Sequence, residues 1–215
     1  MSIRAFSANL VVLLTLLFLV GEVAGSEPPA GGERTIVAFG DSLTAGLGVP
    51  KESSFPAVLE SKIRKSGYRY RVINAGISGE TTSGGLGRVD EIIGMKPEIV
   101  ILELGANDGL RGIDLGIVQS NLRHIIEKLQ EKKIRILLAG MKLPPNMGRE
   151  YTEGFRKIYP ELARRYHLGL IPFLLEGTAA RDELNQPDGL HPTANGYKVV
   201  AATVWQSLQP MLRKN

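Results

Sequence analysis

Between residues 35 and 212 the sequence switches repeatedly between two kinds of apolar pattern, and this alternation constrains the fold more than any other feature. Thr35–Phe39, Tyr70–Asn74, Ile99–Leu104, Ile134–Ala139 and Leu170–Phe173 are short runs of almost unbroken apolar character, most of them rich in β-branched residues. A strand with one wet face alternates, whereas a strand covered on both faces reads as these runs do, so they predict a parallel sheet buried on both sides. The longer stretches between them repeat at helical spacing. Phe55–Lys65 aligns Val58, Leu59 and Ile63 and stops at Gly67, and Leu115–Lys132 aligns Val118, Leu122, Ile125, Ile126 and Leu129. Tyr151–Tyr166 aligns Phe155, Ile158, Leu162 and Tyr166, and a last helix from about Ala194 to Leu212 carries Val199, Val200, Val204 and Leu208. Strand–helix alternation of this kind, with right-handed crossovers, predicts a doubly wound α/β sandwich. A chain of 215 residues holds one such domain with a full core.

Ahead of the domain come Arg4, an apolar run Leu10–Val20 and the small-residue sequence Val23-Ala24-Gly25-Ser26. Cationic start, apolar centre and small-residue site are the parts of a secretory signal peptide, with cleavage expected after Gly25. The run is short for a membrane span, which takes about 20 residues, so cleavage is favoured over an uncleaved anchor. The expected organisation is a signal peptide over 1–25, a flexible leader over 26–33 and one folded domain over 34–214, exported to the periplasm or secreted. The chain has no cysteine, which excludes disulfides, thiolate metal sites, a cysteine nucleophile and a lipid-carrying cysteine anchor. Its 26 basic and 22 acidic residues are interspersed, as in Glu131-Lys132-Lys133. That pattern describes a solvated surface rather than a nucleic-acid stripe, and the net +4 gives only weak attraction to anionic membrane lipid.

In a doubly wound sheet the ligand site lies beyond the carboxyl ends of the strands, so chemistry is sought there. The first strand runs into Gly40-Asp41-Ser42-Leu43-Thr44-Ala45-Gly46. A serine at a strand-to-helix turn stands exposed above the sheet, although a helix N-cap is an equally ordinary role for it. The histidines separate more cleanly. His124 lies inside an amphipathic helix and His167 ends one, both structural settings. His191 lies in Asp188-Gly189-Leu190-His191-Pro192, a turn before the last helix with a carboxylate three residues upstream. A nucleophilic serine needs a base, and that imidazole needs an acid to fix its tautomer. The third strand ends in Gly105-Ala106-Asn107-Asp108, where an Asn amide can donate to an oxyanion. The second ends in Asn74-Ala75-Gly76-Ile77-Ser78-Gly79, where either glycine admits a backbone N–H to the same atom, and spacing does not choose between them.

The segments GDSLTAG, NAGISGETT, ELGANDGL and DGLHP, in this order, resemble the blocks of the SGNH/GDSL hydrolase family, and the likeness runs from about Thr35 to Leu212. Within it, the chain is most similar to the bacterial periplasmic acyl-CoA thioesterase, arylesterase and lysophospholipase group. The resemblance implies a three-layer α/β/α sandwich around a five-stranded parallel flavodoxin-like sheet. It implies Ser42 as nucleophile, His191 as base and Asp188 as acid. The oxyanion donors it implies are the N–H groups of Ser42 and Gly79 and the side chain of Asn107, which selects Gly79 over Gly76. No metal or organic cofactor is implied, and the partner is a small acyl ester or thioester, with lysophospholipids among the candidates. Transient contact with membrane lipid is the only surface interaction expected. The acyl group is expected near Ile77, Leu110 and Pro144, which favours a medium to long fatty chain. The loops Gly46–Ser54 and Met141–Arg149 vary more freely within such families, so substrate preference is what the resemblance carries over least.

Two other enzyme readings and one non-enzymatic reading compete. A carbohydrate O-deacetylase on the same scaffold would want aromatic residues to stack on sugar, and the only Trp is Trp205 in the last helix. A metal-dependent phosphoesterase would use Asp41, Asp108, Asp188 and His191 as ligands. A binding module without catalysis would be expected to lack one member of the set, and none is missing.

Overall fold

The computed structural model describes residues 32–214; the expected signal peptide and residues 26–31 of the leader lie outside them. The strands are β1 (Arg34–Gly40), β2 (Tyr70–Gly76), β3 (Ile99–Glu103), β4 (Arg135–Ala139) and β5 (Gly169–Ile171), all parallel, in the order β2-β1-β3-β4-β5. Ile36 to Phe39 on β1 and Ile99 to Leu102 on β3 are wholly buried, which is why their sequences do not alternate. The register sets Gly40 between Gly76 and Glu103, so the carboxyl ends of β2, β1 and β3 are level. The chain steps outward from β1 to β2 and then returns across β1 to β3. That reversal opens a crevice above the carboxyl ends of β1 and β3.

The helices are α1 (Ser42–Ala45), α2 (Phe55–Lys65), α3 (Thr82–Gly94), α4 (Ala106–Leu110), α5 (Leu115–Glu131), α6 (Arg149–Tyr166) and α7 (Ala194–Leu208). Helices α2 and α7 pack together on one face, and α5 packs between α3 and α6 on the other. The three-layer α/β/α sandwich is the expected one, and α2 ends as expected at Lys65, with Gly67 at φ +82° in the turn that follows. Three details differ from the sequence reading. Strand β5 stops at Ile171 rather than Phe173, because Pro172 has no N–H for the ladder. Helix α7 stops at Leu208, and Pro210 turns the next residues into a 3₁₀ turn, Gln209–Met211. Helix α3 carries no periodic mark in the sequence. It contains Gly84, Gly85, Gly87 and Gly94, each unfavourable by about 1 kcal/mol relative to Ala in a helix interior. Its start is instead fixed by side chains: Thr81 Oγ1 accepts from Gly84 N, and Asp108 accepts from both Thr82 N and Thr82 Oγ1 at 2.8 and 2.6 Å. His124 is exposed on α5 and His167 is the left-handed cap of α6, the structural places expected for them.

Candidate active site

Strand β1 delivers Ser42 to the crevice. Asp41 caps the single turn of α1 through Oδ1, which accepts from Leu43 N at 2.9 Å, and this fixes Ser42 as the first helical residue. The loop before α7 brings the second part. Asp188 Oδ1 accepts from Leu190 N at 2.9 Å and from His191 N at 3.0 Å, so the aspartate shapes the turn that presents its own partner. His191 Nδ1 lies 2.6 Å from Asp188 Oδ2, and His191 Nε2 lies 2.8 Å from Ser42 Oγ. With the ring proton on Nδ1, the imidazole donates to Asp188 and accepts from the Ser42 hydroxyl. Hydrogen bonds from the His191 backbone and ring, joined by Leu190 N–H, hold the Asp188 carboxyl down at about 2. The carboxylate is therefore charged throughout the neutral range, ready to balance an imidazolium.

The base loop is itself anchored. Asn185 Nδ2 donates to Thr178 O at 2.6 Å and Arg181 O at 2.9 Å. Gln186 Nε2 donates to Leu47 O at 2.7 Å and Pro192 O at 3.0 Å, which ties the histidine loop to the loop after α1. Tyr197, buried on α7, places its hydroxyl 3.5 Å from Ser42 O, so the helix also meets the serine turn.

Beyond β3, Asn107 on α4 donates through Nδ2 to Asp41 Oδ2 at 2.9 Å and to Glu80 O at 3.0 Å. The Glu80 turn is held in place by Arg88, whose guanidinium reaches the Glu80 carboxylate at 2.5 and 2.6 Å and Ala75 O at 2.5 Å. The two glycines that spacing could not separate have different physical reasons. Gly76 ends β2 under α1, where a Cβ would strike the Ala45 and Asp41 backbone. Gly79 adopts φ +80°, which disfavours a side chain whatever the space, and borders the crevice, where a Cβ would meet only Arg111 Nη2 at 3.8 Å. The N–H groups of Ser42 and Gly79 donate to no other backbone group among the described residues.

These groups meet in a groove of about 310 Å³ that also exposes Leu47, Leu110, Leu143, Pro144 and Leu190. Residues 38–199 of the chain match the family model described as the GDSL-like lipase/acylhydrolase family. The chain belongs to this family. It is 38% identical to Esterase TesA of Pseudomonas aeruginosa over 83% of this chain and 90% of that protein. It is 35% identical to thioesterase 1/protease 1/lysophospholipase L1 of Escherichia coli strain K12, over 85% of this chain and 87% of that one. The crystal structure of AlinE4, an SGNH-hydrolase family esterase, superposes with a TM-score of 0.72 at 46% identity, covering 85% of this chain and 98% of that one.

In this acylhydrolase the sequence-derived residues Ser42, Gly79, Asn107 and His191 line one groove, and Asp188 joins them from behind His191. Leu110 and Pro144 line it as expected for an acyl site, but Ile77 does not; it is half exposed at the turn after β2. The four residues considered as metal ligands are not grouped as ligands. Asp108 is engaged by Thr82 and Asp41 by Leu43 and Asn107, and among the described residues no group of three or more His, Asp or Glu could hold a metal ion. Trp205 packs edge-to-face on Tyr68, with ring centroids 6.1 Å apart, and does not line the groove. Sequence reasoning missed three groups. Gln186 carries no motif that would mark it. Leu190 lies between two named residues yet lines the groove. Glu103, an acid closing the apolar strand IVILE, was the one visible anomaly.

Proposed function

We propose that this acylhydrolase cleaves carboxylic esters and thioesters through an acyl-enzyme on Ser42. The observation that carries the reading is the unbroken hydrogen-bond chain from Ser42 Oγ through His191 to Asp188. His191 Nε2 takes the hydroxyl proton as Oγ attacks the acyl carbon, Asp188 stabilises the imidazolium, and the same proton passes to the leaving alcohol or thiol. Water then attacks the acyl-enzyme, giving a proton to His191, which passes it to Ser42 Oγ as the acyl–Oγ bond breaks and the carboxylic acid leaves. The oxyanion is held by the N–H groups of Ser42 and Gly79 and by Asn107 Nδ2. Asn107 already makes two bonds, and the one to the neutral Glu80 carbonyl is the one an oxyanion displaces, since a charge-assisted hydrogen bond is roughly twice as strong.

The leucines of the groove suit a fatty acyl chain, and exposed Leu47, Leu110 and Leu190 at its rim suit passing contact with lipid, lysophospholipids included. The relatives named for esterase, thioesterase and lysophospholipase activity support the same substrate classes. The reading takes residues 34–214 as the hydrolase domain and residues 1–25 as the segment that exports it to the periplasm or beyond, on the strength of Arg4, Leu10–Val20 and Val23–Ser26.

The test is hydrolysis of p-nitrophenyl esters from acetyl to palmitoyl and of acyl-CoA thioesters, by wild type and Ser42→Ala, with a chelator present. The expected result is chelator-resistant activity, greatest on medium to long chains, that Ser42→Ala lowers by about 10⁴-fold or more. Full activity in Ser42→Ala overturns the serine mechanism, and a strict preference for acetyl moves the protein to the deacetylase reading.

A further inference from the structure

Directly beneath Ser42 the sheet buries two carboxyl groups, Asp41 and Glu103, that the acyl-transfer scheme above does not use. They come from neighbouring strands, β1 and β3. Glu103 Oε2 accepts from Asp41 N at 3.1 Å and from Thr44 Oγ1 at 2.8 Å. Glu103 Oε1 is fully buried and accepts nothing. Gly40 makes room for this, because a Cβ there would collide with the Glu103 carboxyl and the Thr44 hydroxyl. Each Asp41 oxygen already accepts one N–H, Oδ1 from Leu43 N and Oδ2 from Asn107 Nδ2, which leaves a lone pair on each. Asp41 and Glu103 thus sit side by side in the interior with no cation among the described residues hydrogen-bonded to either. Two buried charges so placed are costly, and a proton on one of them removes the second charge.

The assignment of that proton follows from the acceptors. Both Asp41 oxygens receive N–H donors, whereas Glu103 has one oxygen receiving two donors and one receiving none. A proton on Glu103 Oε1, donated to the Asp41 carboxylate, gives every polar atom of the cluster a partner and leaves one negative charge rather than two. Deepening the serine-hydrolase reading, on which it rests, we infer that Glu103 is a positioning residue: as a neutral acid it donates to Asp41, which in turn aims the Asn107 amide and the Ser42 turn at the oxyanion. The groups facing the pair agree. The polar neighbours are Thr44 on α1, the Asn107 amide on α4, the Tyr159 hydroxyl on α6 and the Tyr197 hydroxyl on α7. Among the described residues His191, once its ring is protonated, is the cation that acts on Asp41. Burial, then the charge of Asp41, push the Glu103 carboxyl well above its ordinary range, while burial lifts Asp41 only to about 6 against the pull of the Leu43 N–H. A single charge on Asp41 also adds to the field that steadies imidazolium on His191.

The test compares wild type, Ser42→Ala, Glu103→Gln and Glu103→Ala. Glutamine keeps a donor towards Asp41 and an acceptor for Asp41 N and Thr44, so it mimics the protonated acid and nothing else. Infrared difference spectra at neutral pH are expected to show the C=O band of a protonated carboxylic acid in wild type and in Ser42→Ala, and to lose it in Glu103→Gln. In ester hydrolysis, Glu103→Gln is expected to keep kcat within about threefold, and Glu103→Ala to lose about 10²-fold in kcat with little change in KM, the scale of one misplaced oxyanion donor. Absence of the acid band from wild type overturns the inference, as does a Glu103→Gln enzyme that falls as far as Glu103→Ala. Because the band is read without turnover, that outcome is separable from failure of the serine mechanism, which Ser42→Ala activity alone reports.

Discussion

The two ends of β3 each carry a glutamate, and the two are treated in opposite ways. Glu98, just before the strand, is ringed by cations: Arg34 Nε at 3.2 Å, Arg213 Nε at 3.9 Å and the Arg135 guanidinium, with the Tyr70 hydroxyl donating at 3.0 Å. Glu103, at the other end, is wholly buried beside a second acid, and its hydrogen-bond donors are a backbone N–H and a hydroxyl. An acid ringed by cations ties strand starts to the carboxyl-terminal segment and has no chemistry to offer. An acid buried without a cation stores protonation energy, and perturbed groups of that kind collect where reactions occur. The sheet thus has a structural edge and a reactive edge, and the compensation of charge distinguishes them.

The expected effects of substitution follow the same division. The largest is His191→Ala, which removes the base while leaving the partly exposed loop foldable: kcat should fall by about 10⁴-fold or more, with thermal unfolding nearly unchanged. Asn107→Ala should cost about 10²–10³ in kcat, mostly without effect on KM, as for loss of one oxyanion donor. Glu98→Ala should do the reverse. It leaves three guanidiniums and a phenol without their acceptor, so denaturant unfolding should show a loss of about 1–3 kcal/mol while kcat stays at the wild-type value. A Glu98→Ala enzyme that is stable but inactive would erase the distinction between the two edges.

The smallest effects lie in the pH dependence of stability. Glu103 is raised in the folded state, so the fold binds a proton there that the unfolded chain releases above about 4.5, and stability declines as pH rises from that value. Glu103→Gln removes this slope, and its stability relative to wild type should grow with pH when unfolding is followed from acid to alkaline buffer. Asp188 behaves oppositely. Its lowered value means a stabilising effect present above the usual aspartate value of 3.8 and lost as pH falls through about 2. Its exposure keeps that effect small.

The sequence discloses the reactive edge unevenly, and the reasons are physical. Ser42, Asn107 and His191 each follow a strand or precede a helix, so strand periodicity and residue type suffice to place them at one edge of the sheet. Asp188 needs only its own turn. The pairing of Asp41 with Glu103 depends on β1 and β3 being neighbours across 62 residues, which local patterns do not encode. Gly79 and Gly76 differ only in backbone conformation and in what surrounds them, and the family resemblance rather than spacing separated them. Helix α3 escaped notice because glycines dilute its apolar stripe and its start depends on Thr81 and on Asp108 of a distant segment.

The central claim is that Ser42 becomes acylated, and the most direct measurement is the site of covalent capture. The enzyme is incubated with a p-nitrophenyl alkylphosphonate in the presence of a chelator, then analysed by intact mass and peptide mapping as activity decays. One phosphonyl group on the Ser42 peptide, formed in step with the loss of activity and absent from His191→Ala, is the expected result. Complete inactivation with the label on another residue, or ester hydrolysis that continues with Ser42 fully labelled, would contradict it.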